Sequence, residues 1–260
     1  MASLAKGWDI QVRVIKALML RELTTRFGRE NIGFLWVMAE PLLFAFLVGL
    51  LWTALKGPED FGVNVIAFAV TGYIPLVLFR SCVQRGVSIF TANGSLMYHR
   101  QISVLDLALV RFFIELIGHM MAYLFAGILL YSIGAFPYPY DLGLFLIGWI
   151  YYSAFTFGII LIVAPLSETS EVVEKFIPVI TYITIPFSGA FYFVGSLYPS
   201  AAQIVLWSPL VHGMEMMRFG IFGPSINAKY EFLYPINVSL YLILFGLFFC
   251  RIIRKRLVIE

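Results

Sequence analysis

The sequence predicts an all-α membrane protein. Six transmembrane helices are expected, preceded by an amphipathic amino-terminal interface helix and carrying a re-entrant hairpin on the outer side before the last span. Three observations predict it. Of 260 residues, 61% are hydrophobic and only 13% are charged, against about 25% charged in an ordinary soluble domain, so the apolar surface needs lipid around it. The apolar residues gather in stretches of the length that a hydrocarbon layer of about 30 Å demands, about 20 residues each. The Lys and Arg residues collect at one set of ends of those stretches, as cytoplasmic loops require. Residues 1–30 are read as the interface unit and 31–260 as a single six-helix domain, with an inner loop at 81–104 and the re-entrant segment at 196–231.

The first element is residues 8–27. Trp8, Val12, Ile15, Met19, Leu23 and Phe27 recur every three or four residues, with Arg13, Arg21 and Thr24 opposite, the pattern of a helix lying in the membrane interface. Ile10 and Leu20 break the polar face, and a plain basic anchor is the alternative. No cleavable signal peptide is expected, because Lys6, Arg13, Lys16, Arg21, Arg26 and Arg29 interrupt any apolar run. Gly28 and Gly33 bracket the turn by which the chain enters the bilayer at Phe34, and Trp36 stands where an interfacial indole belongs.

The spans are read as 34–56, 61–80, 105–134, 143–166, 176–195 and 232–250. With both termini inside, all eighteen Lys and Arg except Lys56, Arg218 and Lys229 fall on the cytoplasmic side, which fixes the orientation. The net charge of +3 is thus a feature of that face and not a nucleic-acid footprint. Within the first span Glu40 is a carboxylate about one turn below the surface, which is costly unless protonated, paired or facing water. Pro41 beside it removes a backbone donor. Glu40 therefore either bonds a neighbouring helix at a kink or lines a cavity.

Among the connections, 81–104 is the longest inner loop. Asn93 and Gly94 make a turn and Ser95 caps a short helix through Leu96, Met97, Tyr98, His99 and Arg100. It is a docking contact or an ordinary solvated loop. The acidic inner loop with Glu168, Glu171 and Glu174 either pairs with the basic amino-terminal helix or stays solvated, Glu171 and Lys175 having i,i+4 spacing. On the outer side, FPYPY at 136–140 is a tight turn whose tyrosines suit a headgroup belt. In 196–231 the apolar pieces are too short to cross, so a hairpin broken at Pro199 and Pro209 is expected. His212, Glu215 and Arg218 follow at i, i+3 and i+6, a spacing that drifts around a helix and implies no three-residue site. Cys82 and Cys250, near cytoplasmic span ends, are expected as free thiols.

The chemistry is mostly one of exclusion. GxxxxGK[ST], HExxH and CxxC are lacking, so neither a Walker A loop nor a zinc site is argued, and no metal or other cofactor is expected in this chain. Ser188 in IPFSGAFYF would need a histidine partner to act as an intramembrane nucleophile; no glycine elbow precedes it and no histidine lies in the cytoplasmic half of a span. Inverted repeats and paired midplane carboxylates of a secondary transporter are not evident.

RELTTRFGRENIGFLWVMAEPL, GYIPLVLF at 72–79, NGSLMYHRQISVLD at 93–106 and WSPLVHGMEMMR at 207–218 together resemble the permeases of type 2 ABC exporters. Taken together they resemble the inner-membrane subunits for capsular polysaccharide export of the KpsM kind. The likeness runs over essentially the whole chain; Val104 stands where many relatives carry a proline. It implies a multi-pass protein of the bacterial inner membrane with cytoplasmic termini. A second permease copy, two cytosolic ATPase subunits that hold the ATP and Mg, and periplasmic and outer-membrane capsule export proteins would be its partners. A lipid-linked polysaccharide would be the cargo. The chain would then be no enzyme itself. It implies that 8–30 is the interface helix and 93–103 the coupling helix inserted into the ATPase. Permeases for O-antigen lipids or drugs are the nearest alternatives. Six spans cannot enclose a wide sugar path alone, so a homodimer is expected. Arg29, Trp36 and Glu40 are placed near its cytoplasmic entrance, and Phe68, Tyr73, Tyr182, Phe187, Phe191 and Tyr192 offer aromatic faces for sugars, lipid-facing packing being their alternative.

Overall fold

The computed structural model describes residues 4–27, 32–60, 62–90 and 102–257. Among them the regular structure is helical except for one two-residue hairpin: α1 (Leu4–Phe27), α2 (Ile32–Lys56), β1 (Glu59–Asp60), β2 (Val63–Asn64), α3 (Val65–Val87), α4 (Val104–Ser132), α5 (Leu142–Thr169), α6 (Glu171–Ile183), α7 (Pro199–Val205), α8 (Pro209–Phe222) and α9 (Leu233–Leu257). Five of the helices, α2, α3, α4, α5 and α9, are long and apolar enough to cross a membrane.

Local chemistry sets the helix starts. The Asn64 carboxamide accepts from the Ile66 and Ala67 N–H groups at 3.0 and 3.2 Å, and so begins α3. Ser103 and Asp106 form a reciprocal capping box on α4. Asp141 accepts from Leu144 N–H at 3.0 Å at the start of α5. Pro199 and Pro209, where the segment was expected to break, follow interruptions and occupy first-turn positions of α7 and α8, where the missing N–H has no helical acceptor to lose. α2 runs without interruption through Pro41.

α5 is the central element, packed on α3, α4, α6, α8 and α9. Glycines let its backbone approach its neighbours, as membrane helix pairs require: Gly148 lies against α8 and Gly158 against α9. α8 is enclosed, every residue but Phe219 being buried.

The largest departure from the sequence pattern is at 176–195. This apolar run is no continuous helix: α6 ends at Ile183, a single 3-10 turn covers Ile185–Phe187, Gly189 turns at φ +76, and a second 3-10 turn follows at Val194–Ser196. Pro186 has no N–H to continue α6 and Gly189 accepts a φ other residues resist; mean apolarity is blind to both. α3 is also longer than its expected span, reaching Val87, which shortens the 81–104 loop. α1 packs against α4 and α2, with Leu18 buried and Ile15, Met19 and Leu23 against the core, while Trp8 at the head of the predicted stripe is 70% exposed.

Candidate functional site

Two polar clusters stand out in this apolar chain. The first joins α1, α3 and α4 beside the ends of the 91–101 connection. Arg111 on α4 donates through Nη1 to the Arg85 carbonyl at 2.6 Å and to Ser88 Oγ at 3.1 Å, while its Nε lies 3.4 Å from Glu22 of α1. One turn further, Glu115 forms an ion pair with Arg85 at 2.5 Å, and His119 Nδ1 meets the Glu115 carbonyl at 2.8 Å. Asp106 takes the Gln11 carboxamide of α1 on one oxygen and, on the other, the Ser103 N–H and hydroxyl at 2.9 and 2.8 Å. Asp106, Arg111, Glu115 and His119 are all buried, a position ionised groups hold only when paired and hydrogen-bonded. α1 thus finds its ion pair through its own Glu22. In the acidic loop Glu171 pairs with Lys175 on α6 at 4.0 Å, both well exposed.

The second cluster is built on α8. His212 Nδ1 accepts the Glu231 N–H at 2.9 Å and its Nε2 meets the Leu206 carbonyl at 2.8 Å. Glu215 takes the Val194 N–H at 3.2 Å on one oxygen and the Lys229 N–H at 3.0 Å on the other. Arg218 Nη1 donates to Gly189 and Tyr192 carbonyls at 2.6 and 2.7 Å, and Nη2 to Ala190 and Phe68 carbonyls at 2.6 and 3.4 Å. The drift of the i, i+3, i+6 spacing directs the three side chains to different backbone segments instead of to each other. Each side chain supplies a partner to a non-helical backbone group that no secondary structure satisfies.

The predicted aromatic residues divide between locations. Phe68 and Phe191 gather with Trp52 and Phe193: Trp52 stacks on Phe68 at 5.9 Å, meets Phe191 edge-on at 5.9 Å, and Phe193 meets Phe68 at 4.8 Å. The Arg218 guanidinium lies over the Phe68 and Phe193 rings at 4.3 and 5.0 Å. Tyr73 stacks on Phe44 of α2 at 4.4 Å, and Arg80 lies 4.2 Å over the Tyr182 ring. Phe187 borders a recess of about 470 Å³ with Ile204, Trp207 and Ser208. The Tyr192 hydroxyl donates to the Pro186 carbonyl at 2.8 Å. Trp36 and Glu40 are exposed on α2. Arg29 and the whole of Asn93 to Arg100 lie outside the described residues. Cys82 and Cys250 are buried and not joined in a disulfide.

The buried polar clusters, the five long apolar helices and the α1 helix packed against two of them can now be set beside known proteins. The ABC-2 type transporter family matches residues 13–222, from within α1 to the end of α8. The chain belongs to this family. Among curated ABC-2 relatives, the capsule polysaccharide export inner-membrane protein CtrC of Neisseria meningitidis serogroup B is 39% identical over 238 residues, covering 92% of this chain and 90% of its own length. The corresponding protein BexB of Haemophilus influenzae is 37% identical with the same coverage. The polysialic acid transport protein KpsM of Escherichia coli is 24% identical over 242 residues, covering 93% of each chain.

For an ABC-2 transporter the residues that the sequence reading passed over are as informative as those it named. By pattern Arg111 is one more basic residue at a span end, and the span prediction singles out neither Glu115 nor His119. Their signal was available: ionisable residues at i, i+4 and i+8 inside an apolar span occupy one helix face, and such groups within spans are rarely without a partner. Trp52 and Phe193 carried no separable signal, because aromatic residues recur throughout the spans.

Proposed function

We propose that this chain is the membrane-spanning permease subunit of an ATP-driven exporter that moves lipid-linked capsular polysaccharide across a bacterial inner membrane. The observation that carries the reading is the likeness to the capsule export protein CtrC over 92% of the chain. Hydrolysis takes place on a separate cytosolic ATPase, which binds the ATP and Mg, and two permease copies share the path. Both termini face the cytoplasm. Termini on one side require an even number of crossings, so the broken stretch from α6 to Ser196 supplies the sixth pass beside the five long helices, and α7 and α8 form a re-entrant hairpin before α9. α1 lies in the inner interface, and 93–103 engages the ATPase. Exposed Trp36 and Glu40 on α2 face the entrance, and Tyr73, Tyr182, Phe187, Phe191 and Tyr192 meet the glycan, which periplasmic and outer-membrane partners then receive; Phe68, expected among them, is instead buried beneath Arg218.

Purification in mild detergent from the native membrane tests the reading. One ATP-binding chain is expected to copurify with each permease, and a permease that stays alone after gentle crosslinking overturns it.

The hydrolase alternative finds no support at Ser188. Its hydroxyl is buried, donates to the Ile185 carbonyl at 2.7 Å and accepts the Ala190 N–H at 3.2 Å, which is the work of a turn. His212 is held by backbone groups at both ring nitrogens. A nucleophile needs a base within hydrogen-bond reach. Ser188→Ala is expected to leave cell-surface polysaccharide unchanged; loss of export with normal permease levels would reopen the question.

A further inference from the structure

The cytoplasmic cluster has a cost that stability alone does not explain. Charged side chains buried together are often no more stabilising than apolar residues of the same volume, and Arg111 and Glu115 are 8% and 1% exposed. What the cluster does provide is geometry. The 91–101 connection departs from α3 just beyond Arg85 and Ser88 and returns to α4 at Ser103. Arg111 holds the departing end through the Arg85 carbonyl and Ser88 hydroxyl, and holds α1 through Glu22. Asp106 holds the returning end through its capping box and α1 again through Gln11. Arg85 and Glu115 close the arrangement between α3 and α4. Each root of the connection is therefore fixed to the same helix, α1, by a separate side-chain contact, about three turns apart along α1.

We infer that Glu22, Arg111, Arg85 and Glu115, with Gln11 and Asp106, are positioning residues that lock the amino-terminal helix to both roots of the 91–101 connection. A displacement delivered at that connection then moves α1, α3 and α4 together instead of bending the loop. The inference rests on the exporter reading, which supplies the source of the displacement. The guanidinium fork of Arg111 is the element no other side chain replaces, because one planar group serves both α3 and α1. Lysine keeps the charge and loses the bridge.

The test uses the full complex in nanodiscs with Glu22→Gln, Arg111→Lys and the double variant, and Lys175→Gln on the exposed α6 pair as control. Two readouts are taken. Amide hydrogen exchange of the permease alone is expected to accelerate about fivefold or more in α1 and at residues 85–90, the departing root, in Glu22→Gln and Arg111→Lys. In the double variant it should be no faster than in Arg111→Lys, since both remove one linkage. ATP hydrolysed per polysaccharide exported is expected to rise about threefold or more, with permease amount and ATPase copurification unchanged and the control at the wild-type ratio. A merely structural role would lower export in step with permease amount and leave that ratio fixed. Unchanged exchange in both single variants overturns the lock even if no ATPase is found. Accelerated exchange with an unchanged ratio overturns the coupling role. Absence of an ATPase with wild-type protein overturns the exporter reading itself. Glu22 is partly exposed at 18%, so its variant reports even where Arg111→Lys fails to fold.

Discussion

Replacing Arg218 with methionine is expected to cost about 3 kcal/mol or more of folding stability, read from reversible unfolding in mixed micelles. The side chain is fully buried, and three of its four carbonyl acceptors, those of Gly189, Ala190 and Tyr192, belong to a stretch without helix. Methionine conserves the bulk under Phe68 and Phe193 but leaves those carbonyls in an apolar surrounding, at about 1 to 3 kcal/mol for each that finds no substitute. The loss of the charge itself offsets part of this, since its desolvation is no longer required. Arg218→Lys should recover only a fraction, because an ammonium is a single point and cannot reach all the carbonyls that Nη1 and Nη2 serve around the edge of the guanidinium. Gly72 reports the same site independently. A Cβ there would overlap both the Ala190 carbonyl and the guanidinium, so Gly72→Ala should reproduce much of the effect without touching the charge. If Arg218→Met unfolds within about 1 kcal/mol of wild type, the carbonyls are satisfied in another way and the clamp is not what orders residues 189–193.

The second large effect is expected at the α5 and α8 contact. A Cβ on Gly148 would stand 2.7 Å from the Met217 nitrogen and 2.8 Å from the Gly213 carbonyl oxygen, both backbone atoms of a fully enclosed helix. From the other side, a Cβ on Gly220 would stand 2.6 Å from the Phe145 nitrogen and 2.7 Å from the Asp141 carbonyl oxygen. Overpacking that side chains can absorb costs about 1 to 3 kcal/mol. Here the obstacle is backbone, so Gly148→Leu should reach at least the upper end of that range and deplete the protein from the membrane. Gly7→Ala is the matched control: nothing lies within 4 Å of a Cβ at that position, and alanine favours a helix over glycine by about 1 kcal/mol. Immunoblotting of membranes and thermal unfolding of purified protein decide it; equal abundance and equal Tm for Gly148→Leu and wild type would show that α5 and α8 can separate.

The five long helices were legible because the bilayer sets their length and the spans are nearly free of charge, a signal averaged over about 20 residues each. The stretch 176–195 has the same average and a different outcome, because Pro186 and Gly189 act through single backbone positions. The helix over residues 8–27 was legible from its period, and Ile15, Met19 and Leu23 of the stripe lie against the core, but the full buried face was not legible. Leu18, absent from the Trp8 to Phe27 stripe, is buried, and Glu22, also absent from it, pairs with Arg111 of α4, since the groove into which a helix settles belongs to its neighbour.

His212, Glu215 and Arg218 show where the candidate site parts from its sequence pattern. Spacing along α8 says which residues neighbour each other on one helix, whereas all of their partners lie on segments elsewhere: Leu206, Val194, Lys229 and Glu231 for the first two, and 189–192 with Phe68 for the third. The sequence by itself determined that the chain spans a membrane, where its basic ends collect, and which family it resembles, because each of these follows from local composition or ordered short motifs. Only the tertiary structure decided which ionised groups are paired and which backbone they hold. Arg111 meets Glu22 across 89 residues and Arg218 meets Phe68 across 150. Pairing of that kind depends on how helices cross, and the positions of Gly72, Gly148 and Gly220 become meaningful only once the opposing backbone is known.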